Sequence, residues 1–305
     1  MRTLAKNVLL APFNLLFRVS PRKTLEILFR LKQRYSLNLD DPRTYNEKLQ
    51  WIKLHDRNPL MPICCDKYRV REYVEDCGWG SILNELYWSG FDPDEIPFDD
   101  LPDSFVIKVT HGSTFNIIVK DKALLDREDA KARCRTWLKA KFLPCYGEWF
   151  YGVCEPRVIV ERYLENPGSG QLYDYKLFVM NGTTRCIRLD MDRFSKHKSV
   201  VYDRRWKRLP GVNMGFVYNE ARYEEPACLD EMLSAAERLA EPFHHARVDF
   251  YVIDDEPVFG EITFTNGAGF DRFQPYEFDL AMGEALSLPV AALGANEDEE
   301  KRSHE

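Results

Sequence analysis

Hydrophobic and polar residues alternate along the chain with two periods, one typical of helices and one typical of strands. Helices are predicted where apolar residues recur at helical spacing. One begins at Thr44, which forms a capping box with Glu47, and others span 67–77, 126–142 and 226–243. Asp66 is predicted to cap the helix at 67–77, and Gly78 to end it. Strands are predicted at 105–109, 115–120, 157–164, 173–180 and 183–189. Strands outnumber helices after residue 100, which favours an α+β fold.

Alternation is clearest on the two sides of an acidic turn at residues 254–257. Val248, Phe250 and Val252 share one face before the turn, and Val258, Gly260 and Ile262 share one face after it. The apolar sets meet only if residue 248 pairs with 262, 250 with 260 and 252 with 258.

In that register Asp249 lies opposite Glu261 on the other face of the hairpin. Two carboxylates at cross-strand distance repel each other, so the pair is understandable if a hard cation such as Mg²⁺ binds between them. A solvated hairpin face that merely carries two acids is the alternative, and the hairpin alone does not separate the two.

A second candidate site is a short polar loop between two strands. His111, Gly112, Ser113 and Thr114 follow a strand whose Lys108 faces away from its apolar side chains. Backbone N–H groups of such a loop can approach phosphate oxygens, and a lysine adds a point charge. A lysine on the solvent face of a strand is also commonplace, and the chain has no GxxxxGK[ST] phosphate loop.

The strand at 157–164 turns polar abruptly, which is typical of a connection that presents backbone groups to an adenine edge. Its end carries Glu161, Arg162, Tyr163 and Leu164. Downstream, Asp174 is a candidate for ribose hydroxyls. Lys176 and Arg188 lie on neighbouring predicted strands and are candidates for phosphate or a substrate carboxylate. A buried strand that ends at the surface, with ordinary solvated charges after it, explains the same residues.

Composition narrows the class of protein. The chain has 305 residues, 45% of them hydrophobic, and a formal net charge of −7, which predicts a large core and argues against nucleic acid as a partner. No apolar run approaches the ~20 residues of a membrane span, and no signal peptide is evident. The eight cysteines lack metal-binding spacing. We interpret them as reduced thiols of a cytoplasmic protein.

The first 36 residues differ from the rest in charge, with eight Lys or Arg and one acid, Glu26. Leucine, isoleucine and phenylalanine recur at helical spacing from Pro21 onward. A basic amphipathic segment of this kind can lie on an anionic membrane surface or a partner. An ordinary helix packed on the body is slightly favoured, because such stripes are usually core.

Six motifs, taken in order, resemble the ATP-grasp superfamily, and the match is best to the TupA-like ATP-grasp proteins, named for teichuronopeptide synthesis and found in bacterial surface-polysaccharide gene clusters. The resemblance runs from about residue 42 to 288. The motifs are Tyr45-Asn46-Glu47-Lys48-Leu49-Gln50-Trp51, Asp66-Lys67-Tyr68, the segment 101–108, Asp174-Tyr175-Lys176, Arg247-Val248-Asp249-Phe250-Tyr251 and the segment 259–264.

The resemblance implies an ATP-grasp fold, in which two α+β lobes clasp ATP, with a helical N-terminal extension in place of a full preceding domain. It divides the chain into a basic helical region at 1–62, a phosphate-loop lobe at 63–160, a metal-binding lobe at 161–290 and a disordered tail at 291–305.

The resemblance also assigns roles to single residues. Lys67 and Lys108 match lysines that contact ATP phosphates, and residues 111–114 match a mobile loop over them. Glu161 to Leu164 match the adenine hinge, and Asp174 matches the ribose-binding acid. Asp249 and Glu261 match Mg²⁺ ligands, and Arg247 matches the arginine that steadies the tetrahedral intermediate. One position departs from the family: Thr263 stands where a third metal ligand, Asn, is usual.

The implied activity is ATP-dependent joining of a carboxylate to an amine through an acylphosphate, with Lys108, Lys176 and Arg247 stabilising charge. The carboxylate would belong to a uronic acid or an amino-acid group of a surface glycan precursor. The enzyme would work near the cytoplasmic membrane face. The acceptor pocket is expected to use Lys176, Arg188, Arg193 and residues 266–269. Three alternatives remain: a glycosyltransferase with Asp190-Met191-Asp192 as its metal motif, an ATP-dependent phosphotransferase, and a non-catalytic binding protein.

Overall fold

The computed structural model describes residues 2–112, 114–166, 172–191, 198–215 and 217–289. The α-helices of this part of the chain are α1 Arg2–Val19, α2 Pro21–Gln33, α3 Tyr45–His55, α4 Leu60–Cys64, α5 Val70–Asp76, α6 Arg127–Leu138, α7 Leu229–Ala240 and α8 Tyr276–Ala285. Its strands are β1 Leu86–Gly90, β2 Phe105–Val109, β3 Asn116–Val119, β4 Val158–Arg162, β5 Asp174–Met180, β6 Thr183–Met191, β7 Lys198–Asp203, β8 Asn213–Met214, β9 Val217–Tyr218, β10 His245–Ile253, β11 Glu256–Thr263 and β12 Phe273–Gln274.

The predicted elements are confirmed where the sequence pattern was strong. Thr44 caps α3 through the predicted capping box with Glu47. Asp66 accepts hydrogen bonds from the backbone N–H groups of Tyr68 and Arg69, although regular helix begins only at Val70. Strands β1 and β7 were not predicted. Every residue of β1 is half-buried, so that strand has no alternation to recognise.

The strands form two main sheets. The smaller sheet is antiparallel with the order β1-β4-β2-β3, and the larger has the order β11-β10-β5-β6-β7-β9. All neighbours in the larger sheet are antiparallel except β7 and β9. Mixed helices and mainly antiparallel sheets confirm the predicted α+β class.

The hairpin β10–β11 has the predicted register at its open end and a different one near its turn. Val248 pairs with Ile262 and Asp249 with Glu261, as predicted, but Phe250 pairs with Phe259 rather than with Gly260. A β-bulge after Asp249 causes the shift. The bulge lets both phenylalanines enter the core, where each is less than 10% exposed. The predicted pairs 250–260 and 252–258 are therefore wrong.

The described part of the chain contains three hydrophobic cores. The largest packs α3, α4, α5 and α7 against the larger sheet, a second lies on the smaller sheet with α6, and a third joins α1 and α2 to Cys145 and Phe270. α7 contributes Met232, Ala236 and Leu239 to the first core, as its spacing predicted. Burial of these apolar surfaces is the main stabilising contribution to the fold.

The boundaries predicted from the sequence do not coincide with the boundaries between cores. Cys64, Val70 and Val74 lie in the core of the larger sheet, although the resemblance placed 63–160 in the phosphate-loop lobe. The division at 160 and 161 falls inside β4. The predicted tail at 291–305 lies outside the described residues.

The N-terminal helices are packed on the body, as the favoured alternative predicted. Leu25, Leu28 and Phe29 of α2 are buried, and Leu10 of α1 joins them. Searched over its described residues, the chain has no helix long and apolar enough to cross a membrane. All eight cysteines lie in the described residues, and none of them forms a disulfide.

Candidate functional site

A polar cleft lies between the two sheets. Its walls come from the start of α5, from β2 and the loop after it, and from the hairpin β10–β11. The side chains and backbone around its deepest part belong to Lys67, Lys108, Gly112, Phe115, Asn116, Asp174, Asp249, Tyr251, Gly260 and Glu261. Six of the residues predicted to bind phosphate, ribose or metal thus lie together, although they are spread over 195 positions of the sequence.

Asp249 and Glu261 form the acid pair at the floor of the cleft. They are directly opposed across β10 and β11, as the alternation predicted. The side chain of Asp249 is only 2% exposed, whereas that of Glu261 is 33% exposed and faces the cleft. The cross-strand repulsion is offset by cations that lie between and beside them.

Arg247 is the principal cation of the floor. Its Nε donates to Asp249 Oδ1 at 2.7 Å, and its second guanidinium nitrogen donates to Asp249 Oδ2 at 2.7 Å and to Glu261 Oε1 at 3.2 Å. Burial alone would lower the pKa of Arg247, but the charges of Asp249, Glu261 and Asp174 raise it above its ordinary value. The guanidinium is therefore a fixed positive charge.

Lys176 of β5 supplies the other charge. Its Nζ lies 2.5 Å from Asp249 Oδ2 and 2.9 Å from Asp174 Oδ2. Because Asp249 pairs with Lys176 across β10 and β5, the sheet register sets this contact. The predicted ribose acid, Asp174, and the metal acid, Asp249, are thus linked through one ammonium group.

Thr263 occupies the third predicted metal position. Its hydroxyl accepts from Arg247 at 3.0 Å and donates to Glu261 Oε1 at 3.3 Å, so it orients the guanidinium and the acid. Within the described part of the chain, no group of three or more His, Cys, Asp or Glu side chains is placed to hold a metal ion.

The residues present nevertheless fit Mg²⁺ that arrives with a nucleotide. Mg²⁺ is usually bound through one or two carboxylates, with phosphate oxygens and waters as its other ligands. Asp249 and Glu261 supply two hard oxygen donors on adjacent strands, and the cleft beside Glu261 is open. This set suits a nucleotide-borne ion rather than a metal cage made by the protein alone.

Two lysines face the acid pair from the other side of the cleft. Lys67 Nζ donates to Gly112 O at 3.0 Å and lies 3.6 Å from Glu261 Oε2. Lys108 Nζ lies 2.6 Å from Glu161 Oε2. The backbone of the loop after β2 packs closely on Phe115, since a Cβ at Gly112 would lie 2.0 Å from the Phe115 ring. Both lysines thus lie where phosphate could bind.

The other residues of the predicted phosphate loop are placed differently. His111 is buried, with its ring edge-on to Phe115 and Phe142, and its Nε2 donates to Ala140 O at 3.0 Å. Burial lowers the pKa of His111, and the charge of Lys67 adds to this effect. Thr114 is exposed, and Ser113 lies outside the described residues.

The predicted adenine hinge follows β4 at the rim of the same cleft. Glu161 is buried against Lys108 and Arg71, and Leu164 lines the rim. The backbone of Arg162 is already used, since its N–H donates to Glu85 O and its C=O accepts from Asn84. Backbone groups for a base edge therefore have to come from Tyr163 and Leu164.

Arg188 lies beside this group of charges but does not line the deepest part of the cleft. It pairs with Asp190 of the same strand, with Nε 2.8 Å from Asp190 Oδ1, and both side chains are almost fully buried. Arg193 and Asp192 lie outside the described residues. The proposed glycosyltransferase motif therefore has its first acid enclosed in the sheet.

Sequence reasoning missed several residues of the cleft, and three of them carry polar side chains that face a nucleotide site: Tyr251, Asn84 and Arg71. Tyr251 lines both its floor and its rim, and Asn84 and Arg71 line the rim. Arg71 follows Lys67 by four positions, so helical spacing from this predicted phosphate-binding lysine could have indicated it. Tyr251 follows Asp249 on the same face of β10, and period-two alternation gives the same signal.

Comparison with known proteins gives three results. No curated protein matches the sequence. The D-alanine–D-alanine ligase of Bacillus anthracis, complexed with ATP, is 17% identical, with 66% of this chain and 55% of the ligase covered and a TM-score of 0.39. An L-amino acid ligase of Bacillus licheniformis is 14% identical, with 82% and 55% covered and a TM-score of 0.46. The chain thus spans little more than half the length of either ligase.

The family model of TupA-like ATP-grasp proteins matches residues 47–287, well over half of the chain. This range contains both sheets, the cleft and every described residue predicted to bind nucleotide or metal. The two facing sheets are accordingly the two lobes of an ATP-grasp fold, and the chain belongs to the TupA-like ATP-grasp family.

Proposed function

We propose that the protein is an ATP- and Mg²⁺-dependent ligase that joins a carboxylate to an amine. The observation that carries the proposal is the acid pair Asp249 and Glu261, backed by Arg247 and faced across a cleft by Lys67 and Lys108. Carboxylates for a metal on one wall and ammonium groups on the other suit a metal–polyphosphate complex between them.

In the proposed reaction, a substrate carboxylate oxygen attacks the γ-phosphorus of ATP, forming an acylphosphate and releasing ADP. The amine nitrogen then attacks the acyl carbon, and phosphate leaves as the amide forms and the nitrogen loses a proton. Lys67 and Lys108 hold the phosphates, and Arg247 lies beside the floor where negative charge develops. When bound, Mg²⁺ supplies neutralisation of charge on the phosphates.

No nucleophilic side chain is required, because the activated group is formed on the substrate. Burial raises the pKa of several cysteine thiols, to about 12 for Cys186 and to about 11 for Cys134 and Cys228, so none of these is a reactive thiolate at neutral pH. This supports a mechanism of positioning and charge neutralisation.

The decisive experiment measures ADP release from ATP and Mg²⁺ with a panel of uronic acids and amino acids, each with and without an amine. Turnover that depends on the amine supports ligation. Phosphorylation that needs no amine would instead favour a phosphotransferase, and turnover of a UDP-sugar without ATP would refute both. Glu261→Gln serves as the matched inactive control, since it keeps the size of the side chain.

The buried Arg188–Asp190 pair favours the ligase over a glycosyltransferase. Asp190 pairs with Arg188 and does not line the cleft in which Lys67, Lys108 and the acid pair meet. The retained acid pair in the cleft likewise favours an enzyme over a non-catalytic binding protein.

As substrates we propose a uronic acid or amino-acid group of a surface-polysaccharide precursor and an amine partner, in the cytoplasm. The support is family membership, since TupA-like proteins are associated with surface-polysaccharide synthesis. The panel described above tests this choice directly. Amine-dependent turnover of free amino acids alone, with no uronic acid accepted, would argue against a glycan substrate.

We further propose that α1 and α2 bind the cytoplasmic membrane face. Apolar side chains of these helices face solvent, with Leu9 72%, Leu15 66%, Val19 80% and Leu31 54% exposed. They are flanked by the exposed cations Arg18, Lys23, Arg30 and Arg34. Apolar residues among lysines and arginines are the features that bind a helix to anionic lipid.

Sedimentation with vesicles tests this proposal. The protein should sediment with anionic vesicles but not with neutral ones, and high salt should release it. Leu15→Glu with Val19→Glu should abolish binding, whereas Leu124→Glu, at an equally exposed leucine outside these helices, should leave it unchanged. Equal loss with both sets, or no binding by the unchanged protein, would refute the proposal.

A further inference from the structure

The loop Asn266–Gly269, which follows β11, has an unusual backbone. Gly267, Ala268 and Gly269 have φ angles of 54°, 56° and 68°. Alanine rarely adopts this left-handed conformation, because its Cβ approaches the neighbouring carbonyl oxygen at a cost of roughly 1–2 kcal/mol. Something outside the loop must therefore stabilise it.

Two side chains of α3 hold this loop by its carbonyl groups. Gln50 Nε2 donates to Gly269 O at 2.7 Å and to Ala268 O at 3.3 Å. Lys53 Nζ donates to Ala268 O at 2.8 Å. Gln50 and Lys53 are three residues apart, on one face of the helix, and both are at most 1% exposed. Gly269 fits closely against Gln50, since a Cβ there would lie 2.4 Å from Nε2.

The first residue of the loop reaches the floor of the cleft. Asn266 Oδ1 accepts from Arg247 at 2.6 Å, and Asn266 Nδ2 donates to Asp271 Oδ2 at 2.9 Å. Arg247 in turn holds Asp249 and Glu261. A continuous series of contacts therefore leads from α3 through the loop to the acid pair, although neither Gln50 nor Lys53 lines the cleft.

The fold alone gives little reason for a lysine at position 53. Its ammonium group is enclosed, 4.5 Å from the centre of the Phe270 ring. Burial lowers the pKa of Lys53 to about 7, and the charge of Glu148 offsets this only in part. Replacing a buried charge by an apolar side chain of similar length is often neutral for stability. Lys53 therefore contributes a directed hydrogen bond rather than net stabilisation.

We propose that Gln50 and Lys53 are positioning residues for the catalytic floor. They fix the loop Asn266–Gly269 in the left-handed conformation in which Asn266 holds Arg247 against Asp249 and Glu261. The inference rests on the proposed ligase function, and it assigns to the helix α3 a part in catalysis without contact to ATP. A displacement of about 1 Å in such a support can lower a rate by about 100-fold.

The test compares two lysines of the same helix. Lys48 Nζ also donates to two carbonyl oxygens, those of Gly283 and Leu286, each at 2.7 Å, but these belong to α8 and its end. Lys53→Met and Gln50→Met should each lower kcat by about 10- to 100-fold, with KM for ATP changed less than about two-fold. The matched control Lys48→Met should keep kcat, whatever it does to stability.

Binding of Mn²⁺ in the presence of a non-hydrolysable ATP analogue gives a readout that does not require the carboxylate or the amine. Lys53→Met should weaken Mn²⁺ binding, because the acid pair is less well held, and should leave binding of metal-free ADP unchanged. If the unchanged protein binds no Mn²⁺ with the analogue, the proposed function itself fails.

Three outcomes would overturn the inference while the proposed function stands. They are an unchanged kcat in both Lys53→Met and Gln50→Met, an equal loss of kcat in Lys48→Met, and failure of both position-50 and position-53 variants to fold. The last outcome would assign the two residues to the fold alone.

Discussion

At the scale of single residues, the cleft floor is a balance of buried charges. Asp249 is held by Arg247 and Lys176 and is nearly inaccessible, whereas Glu261 keeps one third of its side chain exposed. The two acids of the pair therefore differ in what they do for the fold. Removing a charge from an enclosed pair leaves its partners unpaired, whereas removing one at the cleft surface does not.

We predict that Glu261→Gln and Asp249→Asn both abolish Mg·ATP turnover, by at least about 100-fold, and that only the second strongly lowers stability. Asp249→Asn leaves Arg247 and Lys176 short of a buried counter-charge, which costs about 3–5 kcal/mol. ADP release and urea unfolding measure the two effects. Full activity in either variant would show that the metal assignment is wrong.

His245 is a buried histidine that stays neutral. Its ring accepts from Tyr45 through Nε2 and donates to Val179 O through Nδ1. Burial lowers the pKa of His245 to about 3, with a further lowering by Arg247, while the bond to Val179 opposes both. In the unfolded chain the pKa of this histidine is about 6.5. Below that pH, protonation stabilises the unfolded chain but not the folded protein, so the free energy of unfolding falls.

We predict that His245 lowers stability as pH falls from about 6.5 towards 3, by up to about 1.4 kcal/mol for each pH unit. His245→Gln keeps one hydrogen-bond acceptor and one donor group but does not titrate. Urea midpoints at pH 7, 6 and 5 should therefore fall more steeply in the unchanged protein than in the variant. Asp279, whose pKa burial raises to about 6, is common to both and cancels in the comparison. Parallel curves would contradict the prediction.

At the scale of elements, strands with alternating apolar and polar residues were predicted, and strands without that alternation were missed. The acid pair was predictable because period two fixes the faces of β10 and β11, and because one register alone joins the apolar sets. The bulge at Gly260 was not, since both Phe259 and Gly260 are compatible with the core face and only tertiary packing selects the phenylalanine. β1 was missed because half-buried residues on both faces have no period.

The contact between α3 and α8 is a backbone contact. A Cβ at Gly283 would lie 2.0 Å from Arg43 O and 2.7 Å from the carbonyl carbon of Thr44. Beside it, Asn46 donates to both carboxylate oxygens of Asp279, each at 3.1 Å. Neither the backbone at Gly283 nor that at Arg43 and Thr44 can shift unless a whole helix moves.

We predict that Gly283→Ala lowers the free energy of unfolding by about 3 kcal/mol, because the two helices must separate to admit one methyl group. Urea unfolding measures the change. The neighbouring, exposed position gives the control, and Glu284→Ala should change stability by less than about 0.5 kcal/mol. Equal midpoints for Gly283→Ala and the unchanged protein would mean that α8 can shift on α3.

At the scale of the whole molecule, the cleft joins two separately packed cores. The core on the smaller sheet and the core on the larger sheet share none of their buried residues. Side chains that meet between them, such as Lys67 and Glu261, are mostly polar. This division could not be predicted from the sequence, because residues 61–74 precede the small sheet in the chain but pack on the large one.

We predict that Mg·ATP stabilises the molecule as a ligand that binds both lobes at once. At a concentration one hundred times its Kd, it should add about 2.7 kcal/mol to the free energy of unfolding. Thermal unfolding with and without Mg·ATP measures the effect. Glu261→Gln should show a smaller increase with Mg·ATP and an unchanged increase with metal-free ADP. No increase in the unchanged protein would argue against nucleotide binding in the cleft.

The hydrogen bonds from α3 to the loop Asn266–Gly269 join residues that the ribosome makes at very different times. Lys53 and its partner Ala268 are 215 residues apart in the chain, so α3 leaves the ribosome long before the carbonyl that it holds. At roughly 5–20 residues per second, the interval is about 10–40 s. During that interval a nascent chain already carries Lys67 and Lys108, but its acid pair does not yet exist or lacks its support. Under the proposed function, we therefore expect an unfinished chain to lack ATP turnover.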